Sequence, residues 1–227
     1  MKITSDQPIR FISFSGMDGA GKSTQIENLR TRLAEAGLRV RLITFWDDVA
    51  TLTRLRESAA HALFRGDKGI GSRARPINRR DKNVSSWYMS SVRFFLYLLD
   101  TISLRVVTAK AKRSNADIVI FDRHLYDELA NLRLEHTASR LYGRLLLALA
   151  PRPDIAYLLD ADPDQARERK PEYPLEFLQR IRATYLVLGG MGKMKVIPPG
   201  SVSEVERAIQ SMLGDRLAVP QPSLTSR

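Results

Sequence analysis

The sequence predicts an α/β fold built on a five-stranded parallel sheet with helices on both faces. Three observations carry this expectation. Five short, near-continuously apolar runs are bounded by breakers, which is how strands buried on both faces of a parallel sheet read. The segments between them are long enough for crossover helices. A glycine-rich turn also joins the first run directly to a stretch with helical periodicity. Taken in order, strands are expected at Arg10–Ser15, Arg39–Phe45, Ile118–Phe121, Ile155–Leu159 and Lys195–Ile197. A first helix opens at Lys22, where Ile26, Leu29, Leu33 and Ala36 share a face and Gly37 supplies the stop. A long helix is expected from about Asn83 to Lys112, because Trp87, Val92, Phe95, Leu99, Ile102 and Val106 recur at helical spacing. Asp162, Pro163 and Gln165 form a good helix start, and Ser201 with Glu204 reads as a capping box opening a last helix through Leu213.

Composition narrows the function. The 227 residues, 44% hydrophobic and 27% charged, suit one globular domain with a sizeable core. We read residues 1–214 as that domain and 215–227 as a polar tail without fixed structure. No apolar run approaches the roughly 20 residues that span a bilayer. The opening Met1–Asp6 lacks an apolar h-region, so a cytoplasmic location with no membrane partner is expected. The absence of Cys excludes a disulfide framework, a thiolate nucleophile and Cys-ligated metal, and His61, His124 and His136 are not in metal-ligand spacing. Lys and Arg number 36 against 25 Asp and Glu, a net charge of +11, which points to an anionic partner without choosing among nucleic acid, lipid headgroups and nucleotides.

The choice comes from Gly16-Met17-Asp18-Gly19-Ala20-Gly21-Lys22-Ser23-Thr24, which satisfies G-x-x-x-x-G-K-[ST] between the first strand and the first helix. A polyphosphate is wrapped by successive backbone N–H groups, and only glycine-rich turns let the chain approach that closely. The helix N-terminus adds its partial positive charge. Lys22 then serves as a point charge on the β- and γ-phosphates, and the Ser23 hydroxyl as a ligand for Mg²⁺. All nine residues are candidate nucleotide-binding positions, with ATP and Mg²⁺ the expected cofactors.

From these residues onward the chain resembles the thymidylate kinase family of P-loop nucleoside monophosphate kinases. Besides the loop, with its carboxylate at Asp18, the resemblance rests on Phe121-Asp122-Arg123-His124 and on Asp154–Asp160 with Pro163 and Arg167-Glu168-Arg169. The segment Arg180–Leu186 also matches the helix after that family's lid. It implies a P-loop kinase-type sheet with a short lid, transfer of the γ-phosphate of ATP to a deoxynucleotide, a nucleotide substrate as partner, and a fold that allows a homodimer. It also implies that Asp18 accepts a hydrogen bond from the acceptor sugar.

The residues support roles of their own. Asp122 ends an apolar strand at the sheet edge where ligands bind, so its carboxylate can organise Mg²⁺ or the acceptor. Arg123 offers a planar fork for a monophosphate. In the family the catalytic arginine sits in the phosphate loop or on the lid. The loop position is Gly19 here, so Arg167 or Arg169 is expected to act, against the plainer reading of a solvated charged helix face.

Several segments depart from the family pattern. Phe45-Trp46-Asp47-Asp48-Val49 replaces an Arg-Glu-Pro-Gly type segment, and an acidic pair repels a monophosphate unless it faces hydroxyls, amino groups or Mg²⁺. Tyr97–Thr101 lacks the family's acceptor arginine, with Arg93 and Arg105 about one turn to either side. Asp127-Glu128-Leu129-Ala130-Asn131 stands where the family has a Ser-x-x-Ala-Tyr-Gln pattern. Trp46, Trp87 and Tyr88 can stack on a base or belong to the core. Two alternatives therefore stay open. One is a kinase for a nucleoside or other hydroxyl acceptor. The other is a nucleotide-dependent protein that binds a polyanion through the basic stretch Arg65–Asn83, where seven Lys/Arg face two Asp. No nucleic-acid-binding motif is readable, so nucleic acid is not the expected partner.

Overall fold

The computed structural model describes residues 10–51, 87–171 and 173–213, with 87–93 as backbone alone. The basic stretch 65–83, the tail 215–227 and the side chains of Trp87, Tyr88 and Arg93 lie outside the described residues.

Five parallel strands form the centre. They are β1 (Phe11–Ser15), β2 (Val40–Thr44), β3 (Ile118–Asp122), β4 (Ile155–Leu159) and β5 (Lys195–Ile197), in the order β2-β3-β1-β4-β5. The helices are α1 (Lys22–Glu35), α2 (Trp87–Lys112), α3 (Leu125–Leu129), α4 (Thr137–Leu149), α5 (Pro163–Arg169), α6 (Leu175–Gly192) and α7 (Val202–Leu213), with a π-helical turn at Phe45–Val49. The expected strands stand within one residue of their bounds. Their burial differs at the edges, however. The central β1 and β4 are buried throughout, whereas Arg41 and Leu42 of β2 and Lys195 and Val196 of β5 face solvent, because an edge strand has a neighbour on one side only.

The pleat divides the core in two. Phe11, Val119, Phe121, Ala156 and Leu158 point to the face covered by α2, α3, α4 and α6, where they meet Leu104, Leu129, Leu146 and Leu188. Ile12, Phe14, Ile120, Tyr157 and Leu159 point to the other face, against Ile26, Leu29 and Leu33 of α1 and Ile209 and Leu213 of α7. Each fully buried side chain of this size contributes about 1.5–3 kcal/mol, so the central strands hold the site's backbone rigid.

Local signals end the elements as expected. Gly37 adopts φ 79° after α1 while Leu38 N–H reaches back to the Leu33 carbonyl. Asp162 accepts from the N–H groups of Asp164 and Gln165 at the start of α5. Ser201 and Glu204 exchange the two bonds of a capping box before α7.

Candidate active site

The carboxyl ends of β3, β1 and β4, the three central strands, carry the candidate residues, at the edge where ligands of open α/β sheets bind. β1 runs straight into the phosphate loop. Its glycines are held by packing as well as by backbone angle. Gly16 has φ 144°, and a Cβ there would lie 2.5 Å from the Leu159 carbonyl oxygen. Gly19 has φ 87°, and its Cβ would lie 2.6 Å from the carbonyl oxygen of Ala166 on α5. Both positions therefore require glycine. Gly21, also left-handed, caps α1.

Lys22 is buried in the first turn of α1, and its ammonium donates to the carbonyls of Gly16 (2.7 Å) and Met17 (2.8 Å). Burial, and then the charge of Arg123, lower its pKa to about 8, against the pull of Asp127, Asp18 and Asp122. The loop thus already surrounds a cation with carbonyl dipoles. Ser23 and Thr24 beside it are exposed, Met17 is buried, and Ala20 N–H closes a turn onto the Met17 carbonyl.

Asp122 and Arg123 follow at the end of β3. Asp122 is half-buried, and burial raises its carboxyl pKa against the opposing charges of Arg123 and Lys22. Arg123 has φ 69°, a left-handed conformation that costs a non-glycine residue about 1–2 kcal/mol. Its Nη2 donates to Asp18 Oδ1 at 2.5 Å and its Nη1 lies 3.8 Å from Asp127 Oδ1. Burial would lower the guanidinium pKa, but Asp127 and Asp18 more than offset it and hold the charge firmly in place. Asp18 and Arg123, adjacent in no sequence window, thus form one ion pair between the phosphate loop and β3.

The lid arginines separate. Arg169 is exposed and its Nη1 donates to the Gly19 carbonyl at 3.1 Å, so it sits on the phosphate loop. Arg167 is half-buried, with its Nε lacking a partner among the described residues. His124 caps α3 at its backbone and is buried, which lowers its pKa to about 4 and leaves it neutral.

Three features escape a sequence reading. Asp127 is a buried carboxylate that accepts from Ser15 Oγ (2.6 Å), His124 N–H (3.1 Å) and Tyr185 OH (2.9 Å). Asp160, at the end of β4, is gripped bidentately by Arg182 of α6 at 2.7 and 2.8 Å. Asp100, fully buried on α2, accepts from both the N–H and the hydroxyl of Thr51. Asp127 and Asp100 fall in segments that depart from the family pattern, and Asp160 and Arg182 in segments that resemble it, but no local pattern announces their partners. The acidic pair after β2 also takes a definite form. Ala50 N–H closes the π-helical turn onto the Phe45 carbonyl, and Asp48 folds back to accept from Thr44 N–H at 2.8 Å, with Trp46, Asp47 and Asp48 all exposed.

These residues fit a nucleotide polyphosphate, since a glycine-rich turn, the N-terminus of α1 and the Lys22 ammonium meet at the end of β1, with Gly16 and Gly19 packed too closely on backbone to carry side chains. Among the described residues no group of three or more His, Asp or Glu could hold a metal ion.

Comparison with known proteins agrees. Over 224 residues the chain is 30% identical to a thymidylate kinase of Xanthomonas oryzae pv. oryzae, covering 91% of this chain and 86% of that one. The chain belongs to the thymidylate kinase family. A thymidylate kinase of Bifidobacterium longum is 27% identical over 214 residues, 88% of this chain and 95% of the relative. The crystal structure of a thymidylate kinase from Ehrlichia chaffeensis superposes with a TM-score of 0.56 at 21% identity, over 92% of this chain and 99% of that one, and so shares the fold. No protein-family model matches the chain. Membership makes the protein an enzyme of the kinase class. No described helix is long and apolar enough to cross a membrane.

Proposed function

We propose that this protein phosphorylates thymidylate to the diphosphate at the expense of Mg·ATP, within a single domain spanning residues 1–214. The observation that supports the reading is the pairing of Asp18 with Arg123 directly beside the Lys22 loop, on neighbouring strands, where this reading has the donor-phosphate cradle and the acceptor-phosphate fork. Phosphoryl transfer needs positioning and charge stabilisation more than covalent chemistry. In this reading the amides of residues 16–24 hold the β-phosphate and Lys22 leaves the loop carbonyls for the γ-phosphate. Ser23 and Asp122 would hold the metal, which neutralises the charge developing on the phosphate oxygens. Arg123 exchanges part of its bond with Asp18 for the acceptor phosphate, and the freed Asp18 carboxylate accepts from the acceptor's sugar hydroxyl. Arg169, already on the loop at Gly19, is the lid arginine best placed to reach the transferring group, with Arg167 behind it.

The exposed carboxylates Asp47 and Asp48 favour one other acceptor class, a nucleoside or hydroxyl compound without a phosphate. A coupled assay of ADP release with Mg·ATP, run against thymidylate, the other monophosphates and their nucleosides, decides between them, with Lys22→Ala as the blank. The expected outcome is release with thymidylate and loss of at least about a hundredfold in Lys22→Ala. Release with nucleosides alone would overturn the monophosphate reading. Exposed Phe95, Leu98, Ile102 and Val106 on α2 and Leu141, Leu145 and Leu149 on α4 form an apolar face that supports a homodimer.

A further inference from the structure

Asp127 lies outside the reacting groups named above, yet it connects more of the site than any of them. Its side chain is 1% exposed and both its oxygens are engaged. Oδ2 accepts from Ser15 Oγ at the end of β1 and from the backbone N–H of His124 at the end of β3. Oδ1 accepts from the Tyr185 hydroxyl on α6 and faces Nη1 of Arg123 at 3.8 Å. Tyr185 is itself buried, and burial together with the Asp127 charge raises its pKa well above 10, so the phenol stays a donor. The carboxylate therefore ties together the strand leading into the phosphate loop, the left-handed turn at Arg123, and the helix that follows the lid.

The geometry on Arg123 gives this hub a purpose. The guanidinium has Asp18 on one edge in direct contact and Asp127 on the other at a longer distance, so one carboxylate lies in the site and the other beneath it. The pairing with Asp18 can be exchanged for an incoming anion. The pairing with Asp127 cannot, because that carboxylate is enclosed and already bonded to three donors.

We infer that Asp127 is a positioning residue for the acceptor, holding the Arg123 turn and guanidinium in place from below while Asp18 gives way to the acceptor's phosphate. The inference rests on the reading of Arg123 as the acceptor fork. Removing the charge while keeping the shape should loosen Arg123 without touching the phosphate loop's own amides. The loss should then fall on the acceptor and not on ATP.

The test measures KM for both substrates and kcat in Asp127→Asn, using whichever monophosphate responds in the panel above, alongside Arg123→Ala, Arg123→Lys and the double variant Arg123→Lys/Asp127→Asn. We expect acceptor KM to rise about tenfold in Asp127→Asn while ATP KM stays within about twofold, and the double variant to be no worse than Arg123→Lys alone, since both changes act through one guanidinium. A parallel rise in both KM values, no rise, or additive effects in the double variant overturns the inference. If Arg123→Ala leaves acceptor KM unchanged, the reading of Arg123 fails and this inference goes with it. If Arg123→Ala raises it and Asp127→Asn does not, only the role of Asp127 fails. Should Asp127→Asn not fold, Tyr185→Phe removes one bond to the same carboxylate. It should show the same split at smaller size, and an equal effect on both substrates there counts against the proposal.

Discussion

Lys22 is the residue whose chemistry is set most fully by its surroundings. Burial lowers its pKa from 10.5 to about 8, so between those values the unfolded chain holds a proton that the native protein lacks. Stability linked to this group must therefore rise with pH across that window, since the state binding more protons is the unfolded one. Denaturant titrations at pH 7.5 and 9.5 should show the native state gaining stability relative to Lys22→Met, and an unchanged difference would mean the ammonium is solvated. Anionic phosphates reverse the preference by favouring the charged form, so nucleotide binding near pH 8.5 should take up a proton. Arg123 presents the complementary case. Its charge is fixed by two carboxylates, and what the protein sets is its direction, through a left-handed backbone and a partner on each edge.

At the scale of elements, the contact between the phosphate loop and α5 links nucleotide binding to the lid. Gly19 approaches Ala166 so closely that a Cβ would stand 2.6 Å from its carbonyl oxygen, and Arg169 returns a hydrogen bond to the Gly19 carbonyl. Gly19→Ala should push α5 off the loop and cost about 1–3 kcal/mol in backbone strain besides. We expect its ATP KM to rise severalfold. Gly37→Ala is the comparison, because Gly37 is also left-handed at φ 79° but a Cβ there meets nothing within 4 Å. It should lower the melting temperature and leave ATP KM unchanged, and equal KM values in the two variants would separate the loop from the lid. The same scale shows where a sequence reading stops. The phosphate loop was legible because its residues are contiguous and each backbone requirement has its own residue type. The hub at Asp127 was not, because Leu125–Leu129 is too short to show periodicity and Tyr185 arrives from 58 residues further along. Asp48 was legible as an acid at a strand end, but its partner, the Thr44 N–H, depends on a π-helical turn that no local pattern announces.

At the scale of the molecule, α2 and α4 each leave an apolar stripe uncovered among the described residues. Phe95 is 61% and Leu141 66% exposed, each heading a stripe at helical spacing on α2 and α4. A second copy of the chain would cover both stripes. Sedimentation at micromolar concentration should give a dimer for the wild type and a monomer for the variant carrying Phe95→Glu and Leu141→Glu. A monomeric wild type would leave this face to some other partner. The dimer is independent of the phosphate loop, so the variant should keep its affinity for ATP.

The sequence by itself determined the parallel sheet, the phosphate loop and the family, because near-continuous apolar runs, glycine positions and helix caps are local requirements written in neighbouring residues. It also placed Asp122 and Arg123 at a strand end. Only the tertiary structure decided which charges meet: Arg123 with Asp18 across 105 positions, Arg182 with Asp160 across 22, Tyr185 with Asp127 across 58. Such pairs form where strand order brings distant segments to one edge. Their strength comes from burial, which is a property of the packed molecule and of no single segment.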